Sequence, residues 1–268
     1  MRLTQKRNCH HSRPIGYGHF ALSPIHFMMF TAELTGTAIL IFVGCVGCVG
    51  GLSSTPPNIQ IGLTFGLAIM ISLTIFGHIS GAHVNPSVTI AAVILGKTSI
   101  PTGGIYILGQ CLGSILGYGL LRLLTPYEYR HAGDPQTSDT LCVTLVNKNI
   151  SSLQGLGIEM LATWILILVC GAVWDSRNEK WSGGISIKLG LTVAALAIAA
   201  GPYSGCSMNS ARSLGPAIWN NNWKGHWVYW LGPILGSILG GLNYLAYSKL
   251  KPGIEETPAN AALDLSNA

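Results

Sequence analysis

The chain has 268 residues, of which 49% are apolar and only 9% charged, with a formal net charge of +5 and a mean hydropathy of +0.46. A soluble domain carries about 25% charged residues, so this chain cannot cover a water-facing surface in the ordinary way. Its Lys and Arg sit in ends and loops, which argues against nucleic acid as a partner, and its seven Cys form no ligand set with distant His, which argues against a zinc framework.

Six apolar spans are predicted in chain order, at 26–50, 59–79, 102–124, 154–174, 185–201 and 226–248. Each is close to the ~20 residues a helix needs to cross hydrocarbon. The motif Cys45-x-x-Cys48 lies in the first span, where both residues read as small and buried. Two shorter apolar runs, 85–95 and 209–219, cannot span alone and read as re-entrant half-helices. The expected fold class is therefore an all-α membrane protein with six transmembrane helices and two re-entrant half-helices. Its expected divisions are an N-terminal segment 1–25, a membrane domain 26–248 made of halves 26–124 and 154–248, and a polar tail 249–268. Residues 125–153 are read as a polar connector between the halves on the outer side.

With both termini placed in the cytoplasm, the inner side holds Arg2, Lys6, Arg7, Arg13, Lys97, Arg177, Lys180, Lys188, Lys249 and Lys251. The outer side holds Arg122, Arg130, Lys148 and Lys224, and Arg212 falls in the loop after span five. This asymmetry follows the positive-inside rule. The basic start leads directly into a full-length span, a pattern expected of a retained segment and not of a cleavable signal.

The halves read as an inverted repeat. Glu33-x-x-x-Thr37 in span one is echoed by Glu159-x-x-x-Thr163 in span four, and Glu33 and Glu159 precede Asn85 and Asn209 by 52 and 50 residues. Three spans per half place the halves in opposite orientation, so their half-helices enter from opposite faces and meet near the middle. Each half-helix opens on an Asn, in Gly81-Ala82-His83-Val84-Asn85-Pro86-Ser87-Val88 and in Gly205-Cys206-Ser207-Met208-Asn209-Ser210-Ala211-Arg212. The side-chain oxygen of such an Asn caps orphan N–H groups, and its amide NH2 is expected to point freely into a solute path. Two facing half-helices also bring two positive dipole ends together, which repels cations and lets neutral solutes pass. One such Asn alone would read as an ordinary helix cap with Pro at the first turn; two in matching positions of two apolar halves read as a pore.

Those two motifs, with Ser80 to Thr89 and Met208 to Ala217 around them, resemble the signature loops of the aquaporin (major intrinsic protein) family. The resemblance covers about residues 28–248 and implies a pore in every protomer and a homotetramer. The family's Asn-Pro-Ala triplet is altered twice here, to Asn85-Pro86-Ser87 and to Asn209-Ser210-Ala211. Both Asn remain, whereas Ser210 removes one of two prolines that stack at the family's half-helix junction. The family's selectivity filter maps by spacing onto Phe65, Ala197, Cys206 and Arg212. Water-selective members resemble this set but carry His at the span-five position, where glycerol-conducting members carry a small residue. Ala197 therefore widens the filter and gives it an apolar wall, suited to a polyol with hydroxyls on one side and CH groups on the other. Ser213, Ala217, Tyr229 and Trp230 are of the water-channel type, and the mixture resembles the insect glycerol-conducting branch. The resemblance implies a passive channel in the plasma membrane for glycerol, urea and water, excluding ions and protons. The alternative is a water-selective channel with an atypical filter.

The remaining candidates carry supporting roles. Glu33 and Glu159 are costly in a membrane unless paired and are expected to accept backbone N–H groups of the re-entrant loops. His83 is a structural hydrogen-bonder or a pH gate, since His titrates near neutrality. Asn149-Ile150-Ser151 is a glycosylation sequon in the expected outer connector. No metal site, cofactor or enzyme chemistry is expected, because the sequence shows no paired carboxylates, metal cluster or nucleophile–base pair. An ion channel is disfavoured by Arg212. A coupled transporter would need ionisable groups beyond the two Glu, and an adhesion protein on the same frame would conduct poorly. Ammonia or peroxide conduction fits a widened filter as well.

Overall fold

Residues 23–49, 56–130, 140–181 and 183–249 are described in a computed structural model. They form eight α-helices: α1 (Pro24–Val46), α2 (Asn58–Ser80), α3 (Pro86–Ile94), α4 (Ile100–Leu124), α5 (Ser152–Trp174), α6 (Ile185–Ser204), α7 (Ser210–Asn220) and α8 (Val228–Lys249). Five of them, α1, α2, α4, α5 and α6, are long and apolar enough to cross a membrane. The sixth long helix, α8, is diluted by its glycines and by Tyr229, Trp230, Asn243 and Tyr244. The expected terminal segments 1–25 and 249–268, with Arg2, Lys6, Arg7, Arg13 and Lys251, lie almost wholly outside the described residues.

Local sequence sets the helix ends. The Ser99 and Ser151 hydroxyls accept the N–H groups of Thr102 and Gln154 and start α4 and α5. The first span, expected to reach 50, stops at Val46. Span five was expected to stop at 201, yet α6 continues through Pro202 to Ser204. Pro202 has no N–H for the Ile198 carbonyl one turn back; Asn58 Nδ2 donates to that carbonyl instead, at 2.6 Å, so the helix tolerates the proline.

The packing scheme is unchanged when the two halves are exchanged. Helix α1 packs on α4 and α2 as α5 packs on α8 and α6, α4 packs on α7 as α8 packs on α3, and α2·α6 and α3·α7 cross at the interface of the halves. Glycine ridges make the close approaches. A Cβ on Gly113 or Gly117 of α4 would fall on the carbonyl oxygens of Leu34 or Ala38 of α1, and one on Gly236 of α8 would fall on Met160 O of α5. A neighbouring face of α4 exposes Leu108, Leu112, Leu116 and Leu120, a stripe suited to lipid or to a neighbouring subunit. Close backbone contact through small residues is how helices associate where no water drives them together.

Each half-helix is reached through a loop of the same shape. Helices α2 and α6 end at left-handed glycines, Gly81 (φ 85°) and Gly205 (φ 76°). Left-handed non-glycine residues follow: Ala82 (46°) and Val84 (45°) in the first loop, Cys206 (42°) and Met208 (52°) in the second. Such conformations cost of order 1–3 kcal/mol each and persist only where the surroundings enforce them. Buried carboxylates do so here. Glu33 on α1 accepts from His83 N (2.9 Å) and Val84 N (2.7 Å), and also from Ser80 Oγ and Gln110 Nε2. Glu159 on α5 accepts from Ser207 N (2.8 Å), Met208 N (2.8 Å) and Ser204 Oγ. Neither Glu33 nor Glu159 snorkels to a surface, and both are fully buried.

The connector between the halves departs from the expected polar surface loop. Leu141, Cys142 and Thr144 are buried, and the segment descends between the helix ends. Cys142 is disulfide-bonded to Cys45 at the end of α1, across 97 residues. Cys45 is buried as expected and is not paired with Cys48, which keeps a free thiol, but its bond to Cys142 was not foreseen. The pairing partner lies in another element, and short-range Cys spacing carries no trace of it.

Two stability changes follow. Gly113→Val forces its side chain into the α1 backbone and is expected to destabilise by about 1–3 kcal/mol or more, whereas Gly104→Ala, with nothing within 4 Å of the new Cβ, is expected to stabilise by about 0.5–1 kcal/mol; thermal unfolding in detergent compares them. In the same assay Glu159→Leu strands the N–H groups of Ser207 and Met208 at about 1–3 kcal/mol each and melts well below Glu159→Gln. Equal melting of those two variants would show that the loop holds its shape without an acceptor.

Candidate functional site

The two half-helices meet at their N-terminal Asn residues. Asn85 Oδ1 accepts from Ser87 N at 2.8 Å, and Asn209 Oδ1 accepts from Arg212 N at 3.1 Å. Each side-chain oxygen thus caps its own half-helix. The amides are not free, as the sequence led us to expect. Asn85 Nδ2 donates to Met208 O at 2.9 Å, and Asn209 Nδ2 donates to Val84 O at 2.8 Å. An amide NH2 carries two hydrogens, so each Asn spends one across the junction and retains one for a solute. The crossing fixes both amides in a single rotamer. Pro86, Ser87, Ser210 and Ala211 are all buried at this junction. Half-helices α3 and α7 still touch with Ser210 in place of a proline, and the hydroxyls of Ser87 and Ser210 have no hydrogen-bond partner among the described residues.

A narrow cavity of about 30 Å³ opens on one side of this junction. Its wall includes Phe65, Ala197, Cys206 and Arg212, together with Asn85, Asn209, Ile69 and Val193. The four residues placed by spacing therefore share one constriction. The Arg212 guanidinium carbon lies 4.4 Å from the centroid of the Phe65 ring, a cation–π distance. Arg212 Nη1 donates to the Cys142 carbonyl at 2.8 Å, and Cys206 Sγ to Leu196 O at 3.3 Å. The guanidinium is buried and held by a carbonyl of the connecting loop. Ala197 supplies a methyl group to the same cavity.

A second cavity, of about 70 Å³, continues on the other side of Asn85 and shares Ile69, Leu166 and Val193 with the first. The lumen therefore passes both Asn residues along an apolar wall. At its far neck the His83 ring lies between Tyr106 (centroids 5.1 Å apart) and Trp174 (5.7 Å), and its Nδ1 is 3.2 Å from Thr89 Oγ1. Trp174 escaped the sequence reading because an aromatic at a helix end has many ordinary roles. Lys97 Nζ donates to the Trp174 carbonyl. Beyond the end of α5, hydrogen bonds from the Arg177 guanidinium hold the Asp175 carboxyl well below the usual carboxylate range. Asn149 is exposed at the Arg212 end, just ahead of the Ser151 cap. Among the described residues no group of His, Cys, Asp and Glu could hold a metal ion.

Comparison with known proteins agrees with this geometry. Residues 23–244 match the Major intrinsic protein family. The chain is 40% identical over 218 residues to aquaporin-4 of Mus musculus, covering 80% of this chain and 65% of the relative, and 35% identical over 222 residues to aquaporin-2 of Rattus norvegicus, covering 82% and 79%. The chain spans about 65% of the length of the aquaporin-4 relatives it matches. The solved structure of the aquaglyceroporin from Plasmodium falciparum superposes with a TM-score of 0.71 at 22% identity, covering 84% of this chain and 96% of that one, which shows a shared fold. With its duplicated half-helices and paired Asn residues, the chain belongs to the major intrinsic protein (aquaporin) family of multi-pass membrane channels, which are not enzymes.

Proposed function

We propose that this chain is a passive channel for small neutral solutes, conducting glycerol and urea with water also permeating, and excluding ions and protons. The observation that carries this reading is Ala197 lining the same narrow cavity as Arg212 and Phe65. A methyl group there leaves room for a carbon chain and offers it an apolar surface, while Arg212 and the remaining N–H of each Asn donate to hydroxyls. The buried guanidinium and the facing N-termini of α3 and α7 oppose cations.

A water-selective channel is the second reading. It is favoured by the narrowness of the cavity beside Arg212, about 30 Å³. The placement of basic residues supports cytoplasmic termini, with the Arg212 end outside, Asn149 available for glycosylation, and the plasma membrane as location. A homotetramer follows from the family.

Paired swelling and labelled-glycerol uptake in oocytes, comparing wild type with Ala197→His, separate the two readings. Glycerol uptake is expected to fall about tenfold or more in the variant, the scale set by size discrimination in a pocket, while water flux persists. Fast water flux with no glycerol uptake in either protein would leave the water-selective reading. Among the described residues His83 is the only His lining the two cavities. If it gates, flux changes with pH and His83→Ala abolishes the change; identical pH profiles remove His83 from gating.

A further inference from the structure

We propose that the Cys45–Cys142 disulfide is a positioning element for the selectivity filter, so that breaking it alters which solutes pass and not only how stable the protein is. The inference rests on Arg212 lining the solute path, as in the function proposed above.

The argument begins at the connector. Arg212 Nη1 donates to the carbonyl of Cys142 itself, at 2.8 Å. Cys142 adopts φ 59°, a left-handed conformation that a residue with a Cβ adopts only where its surroundings hold it. On its N-terminal side the Leu141 carbonyl accepts from Tyr118 Oη (2.7 Å) and Asn220 Nδ2 (3.3 Å). On its C-terminal side Thr144 Oγ1 lies 2.7 Å from Ser213 Oγ, and Ser213 follows Arg212. These are hydrogen bonds; the covalent restraint at Cys142 is the bond to Cys45, with Cα atoms 5.4 Å apart.

The other end of the disulfide bears on the filter as well. Cys45 is fully buried in the last turn of α1. Its neighbour Gly44 lies so close to Phe65 that a Cβ there would fall on the ring. The bond therefore ties the helix turn behind Phe65 to the carbonyl that holds Arg212, and these two side chains make the 4.4 Å cation–π contact in the constriction. Without the bond, a long cation on a freed carbonyl has more rotamers open to it, including ones that project into the lumen. A larger solute is obstructed by these more than water is. Both cysteines lie at the end assigned to the outer face, where disulfides persist.

The test uses the full chain in proteoliposomes, with water and glycerol flux measured before and after a membrane-impermeant trialkylphosphine. The phosphine's lone pair attacks one sulfur and the S–S bond breaks. Water supplies the protons that leave two thiols, and its oxygen departs in the phosphine oxide. Thiol labelling and peptide mass analysis establish that Cys45 and Cys142 have been released. The expected result is a glycerol-to-water permeability ratio lowered about threefold or more, the lower end of the net contribution of one hydrogen bond. Cys45→Ser/Cys142→Ser is expected to show the lowered ratio without reductant, and Arg212→Ala to show no response to reductant. The ratio is independent of the number of channels, so a loss of folded protein alone does not move it. Released thiols with an unchanged ratio would overturn the proposal, as would an equal response in Arg212→Ala or a peptide map lacking the Cys45–Cys142 link. If glycerol passes in neither redox state, the glycerol reading fails, and the disulfide is judged on water flux per channel by the same threefold criterion.

Discussion

Two buried carboxylates make this architecture possible. A polypeptide that turns back inside a bilayer exposes N–H groups with no water to receive them, at several kcal/mol for each one left unmet. Glu33 and Glu159 accept those groups in the two re-entrant loops. They stand on α1 and α5, the first long helix of each half, so the helix that opens each half holds the loop that closes on its pore. The left-handed residues at Ala82, Val84, Cys206 and Met208 are held in place from outside the loops and are not relaxed turns.

The second requirement is proximity. Glutamates on α1 and α5 reach the loops only because the helices approach within backbone contact. The ridges at Gly113, Gly117 and Gly236 permit this by presenting no Cβ to the facing carbonyls. Packing and polar satisfaction are thus one system: a side chain inserted between α1 and α4 moves Glu33 away from His83 and Val84 as surely as it strains the helix pair. The bulk of α4 lies on a neighbouring face, as its exposed leucine stripe shows.

Much of the molecule was legible before any coordinates, for reasons of periodicity and repetition. Apolar runs of membrane length stand out against 9% charged residues, and two Asn residues in matching settings distinguish a pore from a pair of helix caps. The four residues that the family resemblance marks as a filter line one cavity. What stayed hidden was long-range and mediated by backbone. The crossing of the Asn amides links residues 85 and 208, and 209 and 84, and an acceptor carbonyl has no signature in a sequence. The Cys45–Cys142 bond joins positions 97 apart, and the burial of Leu141 to Thr144 contradicts the polar look of the segment around them. Helix α6 ran past its proline because a distant Asn58 took over the orphaned carbonyl.

The crossed amides also bear on how the chain is made. The acceptor for Asn85 is the carbonyl of Met208, 123 residues later, and that for Asn209 belongs to Val84. A ribosome delivering the chain from its N-terminus presents the first re-entrant loop to the membrane long before its counterpart exists. Until α7 arrives, the Asn85 amide has no partner in the second half, and the first three long helices enclose a site that is only half built. The pore is therefore the last element to mature, completed when the second loop arrives and each half gives the other the hydrogen bond it lacks.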